Sequence, residues 1–233
     1  MKQFLFLSLL FFNSICIKAQ LVSLSEKDLF RGGNINLVKL VEENKKYKGS
    51  PYLKDKFEQT ELVFRSNRKF QGLMRYHMGY QIFEFKNTAG ERFKILPENQ
   101  FKIIHQRIPF VREKLVLKNH PTLDGVFQLL YAGKNYRLLH YLKKELAQTR
   151  KEAIPAPATG TSEGLLPTWI DRSLFILMRG NEGVRVEKSH KKMMKLKFLE
   201  TNAYKDYIEN HKVKLNNAKM LVALVRYIDQ NQL

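Results

Sequence analysis

Six histidines are the first residues to weigh for metal or acid–base work: His77, His105, His120, His140, His190 and His211. No pair has the i, i+4 spacing that aims two imidazoles off one helical face, or the i, i+2 spacing of a strand. His120 and Asp124 stand four apart around Pro121, where the sequence predicts a turn and a turn-capping role. Glu84, Glu91, Glu98 and Glu113 could supply a glycosidase pair of carboxylates, but each lies beside lysines or turn residues and reads as surface. No G-x-S-x-G elbow occurs, and Gly32-Gly33 alone does not make a phosphate-cradling loop. The one cysteine, Cys16, falls in the apolar leader and follows Ile15, which is too large for a lipid-anchor site. No thiol nucleophile or thiolate metal site is expected beyond it. A Ser/His/Asp set whose members meet only in space remains open. The reading is a non-enzyme with no cofactor and no metal.

One stretch interleaves cations and aromatic rings: Tyr131, Lys134, Tyr136, Arg137, His140, Tyr141, Lys143 and Lys144. Ring faces beside cations suit anionic glycans, lipid head groups or single-stranded nucleic acid. Simple alternation on a strand, with tyrosines inward and lysines outward, gives the same pattern. The net charge of +19 draws anionic partners generally. Lysine outnumbers arginine, so part of that charge is a solvated surface.

These residues need elements to hold them. Residues 1–19 form a lysine-led apolar run, Phe4 to Phe12, with small residues after it, the pattern of a cleavable signal peptide. Cleavage is expected between Ala19 and Gln20. The run is shorter than the roughly 20 residues a bilayer-spanning helix needs. Residues 20–51 form an N-terminal segment with a flexible Gly32-Gly33-Asn34 turn and a short helix predicted over 34–46. Residues 52–188 carry short Phe-, Tyr-, Ile-, Val- and Leu-rich runs split by turn signals, the pattern of an antiparallel β domain. Phe83 and Phe85 alternate with Glu84 and Lys86, and Leu115 and Leu117 with Lys114 and Lys118, so one sheet face meets a core. Asp124-Gly125 reads as a turn opening the next strand. Within this domain, 149–168 is a proline-containing loop. Residues 189–233 read as short helices: Ser189 and Asn216 are candidate caps, and Met220, Leu221, Leu224, Val225 and Ile228 make an apolar stripe.

Lys48-Gly-Ser-Pro-Tyr-Leu53 is followed by Arg75-Tyr76-His77-Met78-Gly79-Tyr80-Gln81-Ile82-Phe83-Glu84 and by Gly125-Val-Phe-Gln-Leu-Leu-Tyr-Ala-Gly-Lys134. In this order the segments resemble a family of uncharacterised exported proteins from bacteroidete-type bacteria. That family has a G-S-P-Y-L segment, a β-meander with R-Y-N-x-Y-x-D-x-x-E, and a lysine-rich helical C-terminus. Arg75, Tyr76 and Glu84 agree, whereas His77, Gly79 and Gln81 replace the family's Asn, Tyr and Asp. The resemblance implies export and a β-then-α layout, and it implies no activity and no catalytic residue.

The expected architecture is mainly β (α+β), a curved antiparallel meander or partly closed barrel with short C-terminal helices. The expected role is an exported cell-envelope protein, a non-enzymatic binding or structural module with a basic surface. Its partners would be anionic envelope components or an envelope protein rather than nucleic acid. It would lie in the periplasm or on the cell surface of a Gram-negative bacterium. Two alternatives stand beside this: a lipid or small-ligand carrier with an apolar cavity, and a hydrolase with a dispersed active site.

Overall fold

The computed structural model describes residues 22–31, 35, 37–40, 46–66, 68–96, 101–147, 166–196, 198–199 and 201–231. Ala19, Gln20, the Gly32-Gly33-Asn34 turn and residues 149–165 of the expected loop lie outside these residues.

In chain order the elements begin with β1 (Val22–Ser23), α1 (Glu26–Arg31) and β2 (Val38–Lys39). Strands β3 (Glu58–Phe64), β4 (Arg68–His77), β5 (Ile82–Lys86), β6 (Arg92–Ile95) and β7 (Phe101–His105) follow. Next come β8 (Ile108–Leu117), β9 (His120–Ala132), β10 (Tyr136–Tyr141), β11 (Lys144–Ala147), β12 (Thr168–Asp171), β13 (Leu174–Arg179) and β14 (Glu182–Arg185). The last elements are α2 (His190–Lys195), α3 (Thr201–Asn210) and α4 (Ala218–Gln230).

One sheet runs in the order β14-β13-β10-β9-β8-β7-β3-β4-β5-β6-β2. Its neighbours are antiparallel, as period-2 patterning and short turns require. At one end the sheet curls until β14 meets β8 in parallel at Gly183 and Leu117. That contact partly closes a five-stranded barrel. Gly183 permits the approach, because a Cβ there would stand 2.5 Å from Met178 Sδ and 2.6 Å from a Leu117 methyl. Inside the barrel, Leu115, Leu117, Phe127, Leu139, Ile176 and Met178 are 0–7% exposed and fill the space. Outside it, α2, α3 and α4 lay Met193, Tyr204, Leu221, Leu224, Val225 and Ile228 against Tyr136, Leu138, Leu177 and Val184. A third core, aromatic-rich, gathers Phe64, Phe70, Tyr76, Phe83, Phe85 and Phe110 from strands β3 to β8.

The mainly β class and its helical end match the sequence reading. Several local expectations do not hold. Val38–Lys39 pairs with Phe93–Lys94 as strand, not helix, because the edge of β6 offers its backbone a partner. Pro121, Asp124 and Gly125 lie within β9 rather than in turns. Gly125 is needed there for close approach, since a Cβ would collide with the Gln81 side chain and stand 2.7 Å from the Tyr141 ring. Thr168 begins β12, which pairs with β11 in a two-stranded ribbon. Ser189 caps α2, its hydroxyl accepting from the Lys192 amide. Asn217, one residue beyond the expected Asn216, caps α4.

Candidate binding surface

Alternation divides the Tyr131–Lys144 strip between faces and gives most of its side chains internal partners. Tyr136 is 0% exposed beneath the helices and offers no surface, a correction to its place in the strip. The Tyr131 hydroxyl donates to Asp229 at 2.9 Å. Arg137 holds Glu113 through two bonds of 2.8 and 3.2 Å. His140 stacks on Phe175 with centroids 4.1 Å apart. Burial pushes that imidazole down to about 4, against the opposing pull of Asp171. Tyr141 packs on Phe127. The backbone amide of Lys143 donates to Ser173 Oγ. The Lys144 ammonium points inward and donates to the carbonyls of Ser50 and Tyr52, at 2.7 and 3.0 Å. Lys134 stands exposed on the β9–β10 turn. The strip is therefore largely scaffolding.

Asp229 of α4 grips that turn. Its carboxylate accepts from the amides of Lys134 and Asn135 at 2.8 Å each, from Tyr136 at 3.3 Å, and from the Tyr131 hydroxyl. Burial alone would raise its pKa, but the Asn135 amide, the Tyr131 hydroxyl and the other amides together hold it below the usual carboxylate value. Gly133 is required beside it, because a side chain there would collide with the carboxylate.

The segments that carry the resemblance meet in space. Arg75 donates to Glu84 at 2.9 and 2.7 Å, to the Tyr52 hydroxyl at 2.7 Å and to the Asp55 carbonyl at 3.0 Å. Tyr52 in turn donates to Glu84 at 2.8 Å. The guanidinium lies 3.7 Å from the Tyr52 ring centroid and 4.5 Å from that of Phe57. Glu84, read from sequence as surface, is buried at 4% exposure. β5 is covered on both faces, so alternation there does not mark an outward side. Burial, then the Glu84 charge and hydrogen bond, raises the Tyr52 phenol well above its ordinary value.

Next to this junction the rings continue to the surface. His77 is edge-on to Tyr52 at 4.9 Å and stacked on Tyr80 at 4.4 Å, and its Nδ1 accepts from the Tyr80 amide at 3.1 Å. Burial pushes the His77 imidazole down to about 4, with Glu84 opposing. Trp169 of β12 stands edge-on to His77 at 5.9 Å and to Tyr47 at 5.8 Å. Gly79 makes room for the indole, since a Cβ there would stand 2.6 Å from the ring. Sequence reading missed Tyr47, Tyr80 and Trp169. The usable signal was a lone tryptophan in a proline-rich stretch.

A hydroxyl, an imidazole and a carboxylate do gather at Thr60, His105 and Glu58. Thr60 Oγ1 is 2.6 Å from His105 Nδ1, and His105 Nε2 is 3.3 Å from Glu58 Oε2. Thr60 and His105 are each 2% exposed, so no substrate atom reaches the hydroxyl in this conformation. Among the described residues, no three His, Cys, Asp or Glu side chains converge as a metal-ligand set, and no helix is long and apolar enough to cross a membrane.

Ion pairs such as Lys39–Glu91, Lys118–Glu182 and Arg185–Glu187 join residues of the strands and their connections. In the helical layer Lys191, Lys192, Lys195, Lys205, Lys219 and Arg226 are all exposed. None of them joins an ion pair among the described residues. No family model, curated protein or solved structure matches this chain.

Proposed function

We propose that the protein is an exported cell-envelope binding module that holds an anionic surface component on the basic outer face of its helical layer. The observation that carries the reading is the set of exposed, unpaired cations on α2 to α4, whose apolar faces are already committed to the barrel. Cations with no internal acid are free to meet lipid or lipopolysaccharide phosphates, at about 1 kcal/mol for each one near an anionic membrane. The lysine-led apolar run at residues 1–19 supports export, and the resemblance to exported bacteroidete-type proteins supports an envelope location in a Gram-negative cell. The filled barrel, with Phe127, Leu139 and Ile176 at 0% exposure, favours this reading over a small-ligand carrier.

The test is cosedimentation with vesicles containing phosphatidylglycerol. Binding should fall steeply with added salt. Lys191→Glu/Lys192→Glu/Lys195→Glu should weaken it more than about tenfold. Binding that ignores both salt and the triple variant would sink the proposal.

A further inference from the structure

The Trp169 corner differs from the helical layer in chemistry. Tyr80 is 64% exposed, yet its ring is immobilised by near-parallel stacking on His77, with 16° between the planes. Tyr47 is 37% exposed and braced edge-on by Trp169. Exposed aromatic rings that are already held in place bind with little loss of side-chain freedom. The Tyr47–Trp169–His77–Tyr80 sequence of contacts thus forms a ladder of rings beginning and ending at the surface. The segment bearing Tyr47 is pinned beside Trp169 by backbone bonds: the Lys48 amide to the Pro167 carbonyl at 2.8 Å, and the Trp169 amide to the Lys48 carbonyl at 3.1 Å. Lys46 and Lys48 flank Tyr47, and both are exposed and outside every ion pair among the described residues.

We propose that Tyr47, Trp169 and Tyr80 form a stacking platform for an acidic polysaccharide chain, with Lys46 and Lys48 meeting its acid groups. Sugar rings present flat C–H faces for the aromatic rings. The flanking lysines and the net charge of +19 select an anionic chain and repel the cationic ligands that aromatic clusters otherwise attract. This site is separate from the helical cations, so either proposal can fail alone.

Trp169 is the single tryptophan of the chain, so its emission reports directly on the platform. Titration with oligogalacturonate should produce a saturable change in that emission. Tyr80→Ala should weaken the interaction at least about fivefold, the smallest effect usual for loss of one stacking ring, and Tyr47→Ala provides the same test from the other end. Lys46→Gln/Lys48→Gln should remove the preference for oligogalacturonate over a neutral cello-oligosaccharide. The triple glutamate variant on α2 should leave the titration unchanged. No saturable change with either saccharide would overturn the platform. A change caused by phosphatidylglycerol vesicles and not by the saccharide would assign the rings to a lipid surface and overturn it equally.

Discussion

At the scale of single residues, histidine burial ties this molecule to acidity. His77 and His140 are held neutral by desolvation, with folded-state values of about 4 against an ordinary 6.5. Between those values the unfolded chain binds more protons than the folded one, so stability falls as pH drops from 6.5 towards 4. Each histidine contributes up to about 3 kcal/mol of that loss. His140 makes its main contact by stacking on Phe175, so His140→Phe should keep the packing while removing its share of the pH slope. Urea midpoints at neutral and mildly acidic pH would check this; an unchanged slope would mean that His140 does not titrate in the window. The sequence displayed these histidines but not their surroundings. Nothing local distinguishes Lys144, whose ammonium braces two carbonyls, from the exposed Lys134, nor the buried Glu84 from the exposed Glu91. Burial is set by strands distant in sequence, and Glu84 is sheltered by Tyr52, thirty-two positions away.

At the scale of elements, the hairpin joining β7 and β8 carries avoidable strain. Gln106 and Arg107 occupy left-handed backbone, with φ of 53° and 65°. Two successive residues of that kind make the tight turn that matches strand twist, and Asn-Gly is the pair that adopts it most readily. Gln106→Asn/Arg107→Gly should therefore raise stability by about 1 kcal/mol, read as a higher urea midpoint with an unchanged slope. Strands were legible where alternation and turn residues coincide, as at Leu73–His77 and Ile82–Lys86. Elements escaped where local pattern and tertiary demand conflict. Asp124-Gly125 has turn chemistry, yet the glycine serves a strand crossed closely by Gln81 and Tyr141. Val38 and Lys39 lie in a stretch whose apolar spacing predicts a helix, yet they have a strand partner in space. The β11–β12 ribbon joins residues on opposite sides of a proline-rich stretch, and no short window contains both halves.

For the whole molecule, β8, β9 and β10 belong to two structures at once. They form part of the barrel wall, and Phe110, Val126 and Leu142 from the same stretches help build the aromatic core under β3 to β5. Neither part can lose its packing without exposing the other, so unfolding should be a single cooperative step. Trp169 emission and far-ultraviolet circular dichroism should follow coincident urea transitions; two separated transitions would show that the parts melt independently. The architecture was readable from sequence at this scale because strand runs gave way to helical stripes in order. The partly closed barrel was among the expected forms, but the parallel contact between Gly183 and Leu117 that makes the closure lies in no short window of sequence.

The Asp229 clasp adds an order of events. Asp229 lies 98 positions from Tyr131 and 95 from Lys134. A polypeptide made from its N-terminus presents the β9–β10 turn to water long before the carboxylate that secures it exists. During that interval Tyr136 and Leu138 also lack the helical cover that later seals them. The clasp on the β9–β10 turn therefore closes only once α4 is made, so this part of the fold is completed at the end of synthesis.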